Sequence, residues 1–459
     1  MRCNVGYRVK PILAAAFAAI TLATAPVAKA EGLNDALISA YKNSGLLEQN
    51  RALLRAADED VAQAVAALRP VLSYYANATY ADPVFPGKDY LSGNLGLQAS
   101  LLLYDGGGSQ FAIEGKKESV LAAREGLVNV EQSVLLRAVT AYMNVRRDTE
   151  FVSLRQNNVR VIREQLRAAK DRFEVGEVTR TDVSLAESRL ALARANLAAA
   201  EGGLARSREE YRAAIGHYPK GLRPAPKAPA TAKSIDAARS VAYVTHPLMR
   251  KIQHEVAAAE FGVEQANALM KPRISLTGRV NHDSYGLDSS SIGIELGGPI
   301  YQGGKLSSLF RQAVARRDQT RAGLHLTRLD VAQGVGNAWA SLQVARATLA
   351  ATVRQIRAAR VAFKGVKEEA TLGARTTLDV LDAEQELLDA EANRISALTD
   401  QYIATYSVLS SMGLLTVDHL KLGIRTYDPS AYYNAVANAP ADSSRGKRLD
   451  RVLRALGKE

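Results

Sequence analysis

The chain has 459 residues, 47% of them hydrophobic and 23% charged, with a formal charge of +12 and a single cysteine. That cysteine, Cys3, lies in a basic amino-terminal head, so a mature chain lacking the head has neither a disulfide framework nor thiol chemistry. Lys and Arg alternate with Asp and Glu along amphipathic patterns, which describes a solvated helical surface and argues against a nucleic-acid partner.

Residues 1–30 read as a secretory signal: Arg2, Arg8 and Lys10, an apolar stretch from Ile12 to Leu22, then the small-x-small site Ala28-Lys29-Ala30. Its loss removes four basic residues and no acids, leaving about +8 on a mature chain that starts at Glu31. Beyond it no segment supplies the ~18 apolar residues of a membrane-spanning helix. Any crossing of a bilayer must therefore use a closed β-barrel, since an open sheet edge in lipid leaves backbone groups unpaired.

The rest is a duplicated unit. The frame Gly176, Thr179, Asp182, Val183, Ala186, Glu187 returns 197 positions later as Gly373, Thr376, Asp379, Val380, Ala383, Glu384, and Tyr104-x-Gly106-Gly107 returns as Tyr301-x-Gly303-Gly304. Upstream, Ala40-Tyr41, Leu46 and Pro70 match Ala242-Tyr243, Leu248 and Pro272 at an offset of 202, so the first copy has five extra residues around DPVFPGKD, expected as a surface loop. The first repeat covers 31–216, a Pro-rich linker 217–233, the second repeat 234–424, and a carboxy-terminal segment with a basic tail 425–459. One position breaks the symmetry: Leu185 stands where the second copy has Asp382.

In chain order, each unit opens with a helix, Gly32 to Leu68 or Ser234 to Met270. A hairpin follows, at about 71–104 and about 273–301, in which apolar residues such as Leu72, Tyr74, Leu95 and Leu97 alternate with polar or small ones. The export signal, the alternating pattern and the aromatic Tyr74 and Tyr80 favour a membrane barrel over a soluble sandwich. Four strands cannot close alone, because even small barrels have about eight, so several chains must share one barrel.

After each YxGG corner the period becomes helical. Val145, Val152, Val159 and Leu166 fall seven apart, interleaved with Leu127, Val134, Ala141 and Ile162, as in a coiled-coil seam. No proline interrupts Ser109 to Val175, about 100 Å of helix at 1.5 Å per residue. Gly-containing tips at about 173–183 and about 370–380 turn the chain back. The return arms from Thr181 to Ala214 and from Leu378 to Met412 are shorter, so the opening helix of each unit must stack end to end with its arm. Nothing catalytic assembles: the six histidines are scattered, no HExxH or cysteine cluster exists, and the GGG at 106–108 lacks the Lys and Ser/Thr of a phosphate loop, so neither an enzyme nor a metal or organic cofactor is expected.

At these residues the sequence resembles the TolC family of bacterial outer-membrane efflux and secretion ducts, over essentially the whole mature chain; the tip LGARTTLDVLDAE is its most specific part. The resemblance implies a mostly α fold with a small β part: a homotrimer whose twelve strands form one barrel, continued by a periplasmic α-helical barrel. It implies outer-membrane lipid, a periplasmic adaptor and an inner-membrane transporter as partners, in export of small molecules or proteins.

Asp379 and Asp382, at i and i+3 on one helix face, match the family's paired constriction aspartates, so threefold symmetry would stack two carboxylate rings at the tunnel entrance. By the same resemblance Arg375 and Asp182 belong to the polar links that hold the tip closed, and the turns at Gly176, Thr179, Gly373 and Thr376 face the adaptor. The family's tyrosine five residues before the arginine is replaced here by Ala370, so a latch in this chain is weaker or built differently. The rival readings are a periplasmic coiled-coil adaptor, which needs no alternating strands, and a diffusion porin, which needs many strands and little helix.

Overall fold

A computed structural model of the chain describes residues 30–80, 91–284, 286–439, 447–448, 451–452 and 455. The signal segment up to residue 29, the DPVFPGKD loop and most of the basic tail lie outside the described residues.

The elements are α1 (Leu33–Asn43), α2 (Gly45–Ala66), β1 (Val71–Tyr80), β2 (Leu91–Tyr104), α3 (Gly108–Glu174) and α4 (Arg180–Ile215) in the first repeat. The second repeat has α5 (Ile235–Thr245), α6 (Pro247–Ala268), β3 (Arg273–Asp283), β4 (Asp288–Gly297), α7 (Lys305–Thr371) and α8 (Thr377–Ser411), and α9 (Pro429–Val436) follows. The α3 and α7 helices have 67 residues each, about 100 Å.

The opening helix of each repeat, expected as one piece, is two. In the second repeat Pro247 removes an amide donor and starts α6 at its first helical position, with His246 as the cap. In the first, the Ser44 hydroxyl accepts from the Leu47 amide and restarts the helix as α2. Each break receives the end of a return arm. Asn43 donates to the carbonyl of Ile215, the last residue of α4, over 3.0 Å, and the Thr245 hydroxyl donates to the carbonyl of Met412, which caps α8, over 2.6 Å. The short arms are thus extended end to end, and the polar groups that the breaks expose are used at the junctions.

The four strands form one antiparallel sheet, β1-β2-β3-β4, and among the described residues the outer edges of β1 and β4 are unpaired. Register puts Leu72, Tyr74 and Leu97 on one face with Val280, Ile292 and Ile294, all exposed. In water such a face is unfavourable at roughly 25 cal/mol per Å2; against lipid it is satisfied. The opposite face is polar, and there the Tyr75 hydroxyl crosses β2 to donate to Asn281 Oδ1 on β3 at 3.3 Å. Ten residues rise about 33 Å, or about 23 Å at the usual barrel tilt, close to the apolar band of an outer membrane.

Below the sheet, α2 packs on α3, α3 on α6 and α6 on α7, while nearer the tips α4 packs on α3, α3 on α8 and α8 on α7. The main core lies around the α1/α4 junction, where the seam residues Val134, Ala141 and Val145 are buried with Leu37, Tyr142, Tyr211 and Ile215. Tyr142 ties the linker in: its hydroxyl donates to the Arg223 carbonyl at 2.7 Å, and Glu31 pairs with Leu222 in a short parallel bridge. Leu415, Val417 and Leu422 return the chain from α8 into this same core, where the Val417 amide donates to Glu131. Among the described residues no helix is long and apolar enough to cross a membrane.

Candidate functional site

The two hairpin tips are near copies. Gly176 and Gly373 adopt φ of +80° and +78°, a left-handed conformation that side chains resist, and so end α3 and α7 sharply. The Glu177 amide donates to the Arg172 carbonyl and the Ala374 amide to the Glu369 carbonyl, which satisfies the last turn of each helix. The next helix then starts from a capping box. Thr179 Oγ1 accepts from the Asp182 amide at 3.3 Å while Asp182 accepts from the Thr179 amide at 2.9 Å; Thr376 and Asp379 repeat this at 3.2 and 2.9 Å.

These bonds hold both carboxyls below their ordinary value of 3.8, through the Thr179 hydroxyl first for Asp182 and through the Thr376 amide first for Asp379. A lowered carboxyl stabilises the fold above its ordinary pKa and loses that contribution as pH falls through the lowered one. The tips should therefore keep their caps through the ordinary carboxylate range and fray only as the pH falls below 3.8 through the lowered values. Thr376→Ala removes one cap acceptor and is expected to cost about 1 kcal/mol locally. Hydrogen exchange at the amides of residues 377–381 should then be several-fold faster, while the junction at Met412 keeps its protection.

The expected site residues are placed as follows. Asp379 and Asp382 share one face in the first turns of α8, Asp379 half-buried and Asp382 exposed. Arg375 bonds Glu369 of its own tip at 2.8 Å, and Asp182 is occupied by its own cap, so within one chain these two are not brought together. Asp382 accepts from Arg189 of α4 at 2.6 Å, a contact between the two hairpins. Beside it Leu381, 2% exposed, packs with Val159, Ile162, Leu190 and Ala193 of the first hairpin. Leu185 packs against the same cluster, so an aspartate there would put a carboxylate against apolar neighbours. That is the packing reason why the first copy departs from the second at this position.

Glu384, the last residue of the repeated frame, is buried and accepts from Gln165 of α3; burial pushes its carboxyl above the ordinary range. Gln165 and Arg189 carry no sequence signal, because the contact of Arg189 spans 193 positions and follows only from how α4 meets α8. Among the described residues no group of three or more His, Cys, Asp and Glu side chains could hold a metal ion.

The sheet with two open edges and one exposed apolar face, continued by two long hairpins, has counterparts among known proteins. A model of the outer membrane efflux protein family matches residues 37–217 and 238–414, one segment for each repeat. The chain is 35% identical to the outer membrane efflux protein BepC of Brucella suis over 95% of its own length and 97% of the relative. It is 26% identical to the outer membrane protein TolC of Vibrio cholerae, over 84% and 92% of the two chains. The solved channel CusC superposes with a TM-score of 0.76 at 17% identity, covering 84% of this chain and 92% of the other, a likeness of fold. With both repeats matched and BepC alike from end to end, the chain belongs to the outer membrane efflux protein family, and its place is the outer membrane.

Proposed function

We propose that three copies of this chain form a channel-tunnel that carries small molecules, proteins or both from the periplasmic side of the outer membrane to the exterior. In this reading the tips dock with a periplasmic adaptor and an inner-membrane transporter. The observation that carries it is the four-stranded sheet, apolar on one face and open at both edges, joined to two 67-residue helices and their return arms. Such a sheet cannot stand in lipid until both edges are paired, and further copies of the same sheet supply the partners. A periplasmic adaptor has no use for an apolar sheet face, which favours the channel over that rival.

The reading of the tip rests on the family resemblance and on the placement of Asp379 and the exposed Asp382 along one face at the start of α8. In the trimer they form two carboxylate rings that narrow the periplasmic end and attract cations. Arg375 and Asp182, apart within one chain, are proposed to meet across subunits when the tip is closed, and the turns at Gly176, Thr179, Gly373 and Thr376 present the adaptor-facing surface. Opening then requires the hairpins to move as bodies, which their continuous helices allow.

Cell fractionation and electrophoresis test the channel itself. The protein is expected to partition with outer membranes, to need detergent, to migrate as a heat-modifiable oligomer, and to give a far-UV circular dichroism spectrum dominated by helix. A detergent-free soluble monomer would sink the reading.

A further inference from the structure

We propose that Arg189 sets the charge, and hence the cation affinity, of the tunnel entrance by acting as the counter-ion of Asp382 from within the same subunit. The inference rests on the reading of Asp379 and Asp382 as constriction rings and adds a residue from the other hairpin to that site.

Packing fixes the pair. Arg189 immediately precedes Leu190 and Asp382 immediately follows Leu381; the two leucines are 7% and 2% exposed in one apolar cluster, which sets the relative register of α4 and α8. The guanidinium is then held 2.6 Å from the carboxylate, with the arginine side chain about 29% exposed. A second cross-hairpin bond, Gln165 to Glu384, pins α8 one half-turn further on.

The surroundings of Asp382 give the pair its electrostatic weight. Its helical neighbours at three and four positions are Leu378, Asp379, Gln385 and Glu386, so its own helix offers like charge and no cation. Between Thr377 and Ser411 the helix carries seven acids and one base, Arg394. Asp379 has a cation at longer range, Arg375, whose guanidinium is bonded to Glu369; Arg189 is the direct counter-ion of Asp382, and without it each subunit would bring one more unpaired carboxylate to the rings. A narrow mouth with low-dielectric walls focuses the remaining field, so one compensated charge per subunit has a large effect on the local cation concentration.

Planar bilayers with hexaamminecobalt(III) as the probe test this. Arg189→Ala is expected to lower the concentration that half-blocks the channel by about tenfold. Arg189→Gln, similar in length but uncharged, should do the same, and Arg189→Lys should keep the wild-type value. Oligomer migration on unheated gels is expected to be unchanged for all three. A half-block concentration that stays at or rises above the wild-type value in both Arg189→Ala and Arg189→Gln would overturn the counter-ion role. Asp379→Ala combined with Asp382→Ala separates the two levels: loss of block there leaves the ring reading intact whatever Arg189 does, whereas full block there removes the ring reading itself.

Discussion

Replacing Asp379 and Asp382 together by alanine is expected to raise single-channel conductance and to abolish block by multivalent cations, shifting the half-block concentration by at least about tenfold. Both side chains lie in the first turns of α8, Asp379 half-buried and Asp382 exposed, and their i, i+3 spacing stacks them along one face. In the proposed reading, conductance rises because two side chains per subunit are shortened at the constriction, and block is lost because the attracting charge is gone. Arg189, left without its partner, adds a repelling charge at the same mouth. Because Asp379 also caps α8, Asp379→Asn with Asp382→Asn is the matched control: it keeps side-chain size and the one carbonyl oxygen that the cap uses, and should lose block with little rise in conductance. Equal block by multivalent cations in wild type and both double variants would mean that the constriction lies elsewhere.

The second large effect is structural. Gly413→Ala is expected to destabilise the protein by about 3 kcal/mol or more, and Gly216→Ala, its counterpart in the first repeat, by about 1–2 kcal/mol. Both glycines have positive φ, +77° and +101°, so each substitution meets the same backbone strain. What differs is the neighbour. A Cβ at Gly413 would lie 2.6 Å from the Cα of His246 and 2.7 Å from the carbonyl oxygen of Thr245, backbone atoms at the α5/α6 break that cannot step aside. At Gly216 the close atoms belong to the Asn43 side chain: its amide end can swing away at the loss of its bond to Ile215, while its Cβ, at 2.9 Å, needs a smaller backbone shift than the clash at Gly413. Thermal melting of the folded oligomer in detergent should therefore separate the two variants in that order. Equal melting temperatures would show that the junctions do not carry the rod.

The duplication, the four alternating strands, the long helices and the two tips are legible in the sequence, since each is written in local chemistry. Period-two alternation, seven-residue spacing, a glycine that ends a helix and a Thr-x-x-Asp that starts one all act within a few residues. The breaks at Ser44 and His246 have only short local marks, Asn43-Ser44-Gly45 in the first repeat and Pro247 in the second, inside otherwise helical patterns. Tertiary structure alone decided that Asp382 faces Arg189, that Glu384 is buried beside Gln165, and that Leu185 packs against an apolar cluster. Arg189 and Asp382, and Gln165 and Glu384, stand more than 190 positions apart in the chain, the cluster around Leu185 draws on three helices, and the register that joins them comes from side chains filling the space between helices. No periodicity within either helix encodes that register.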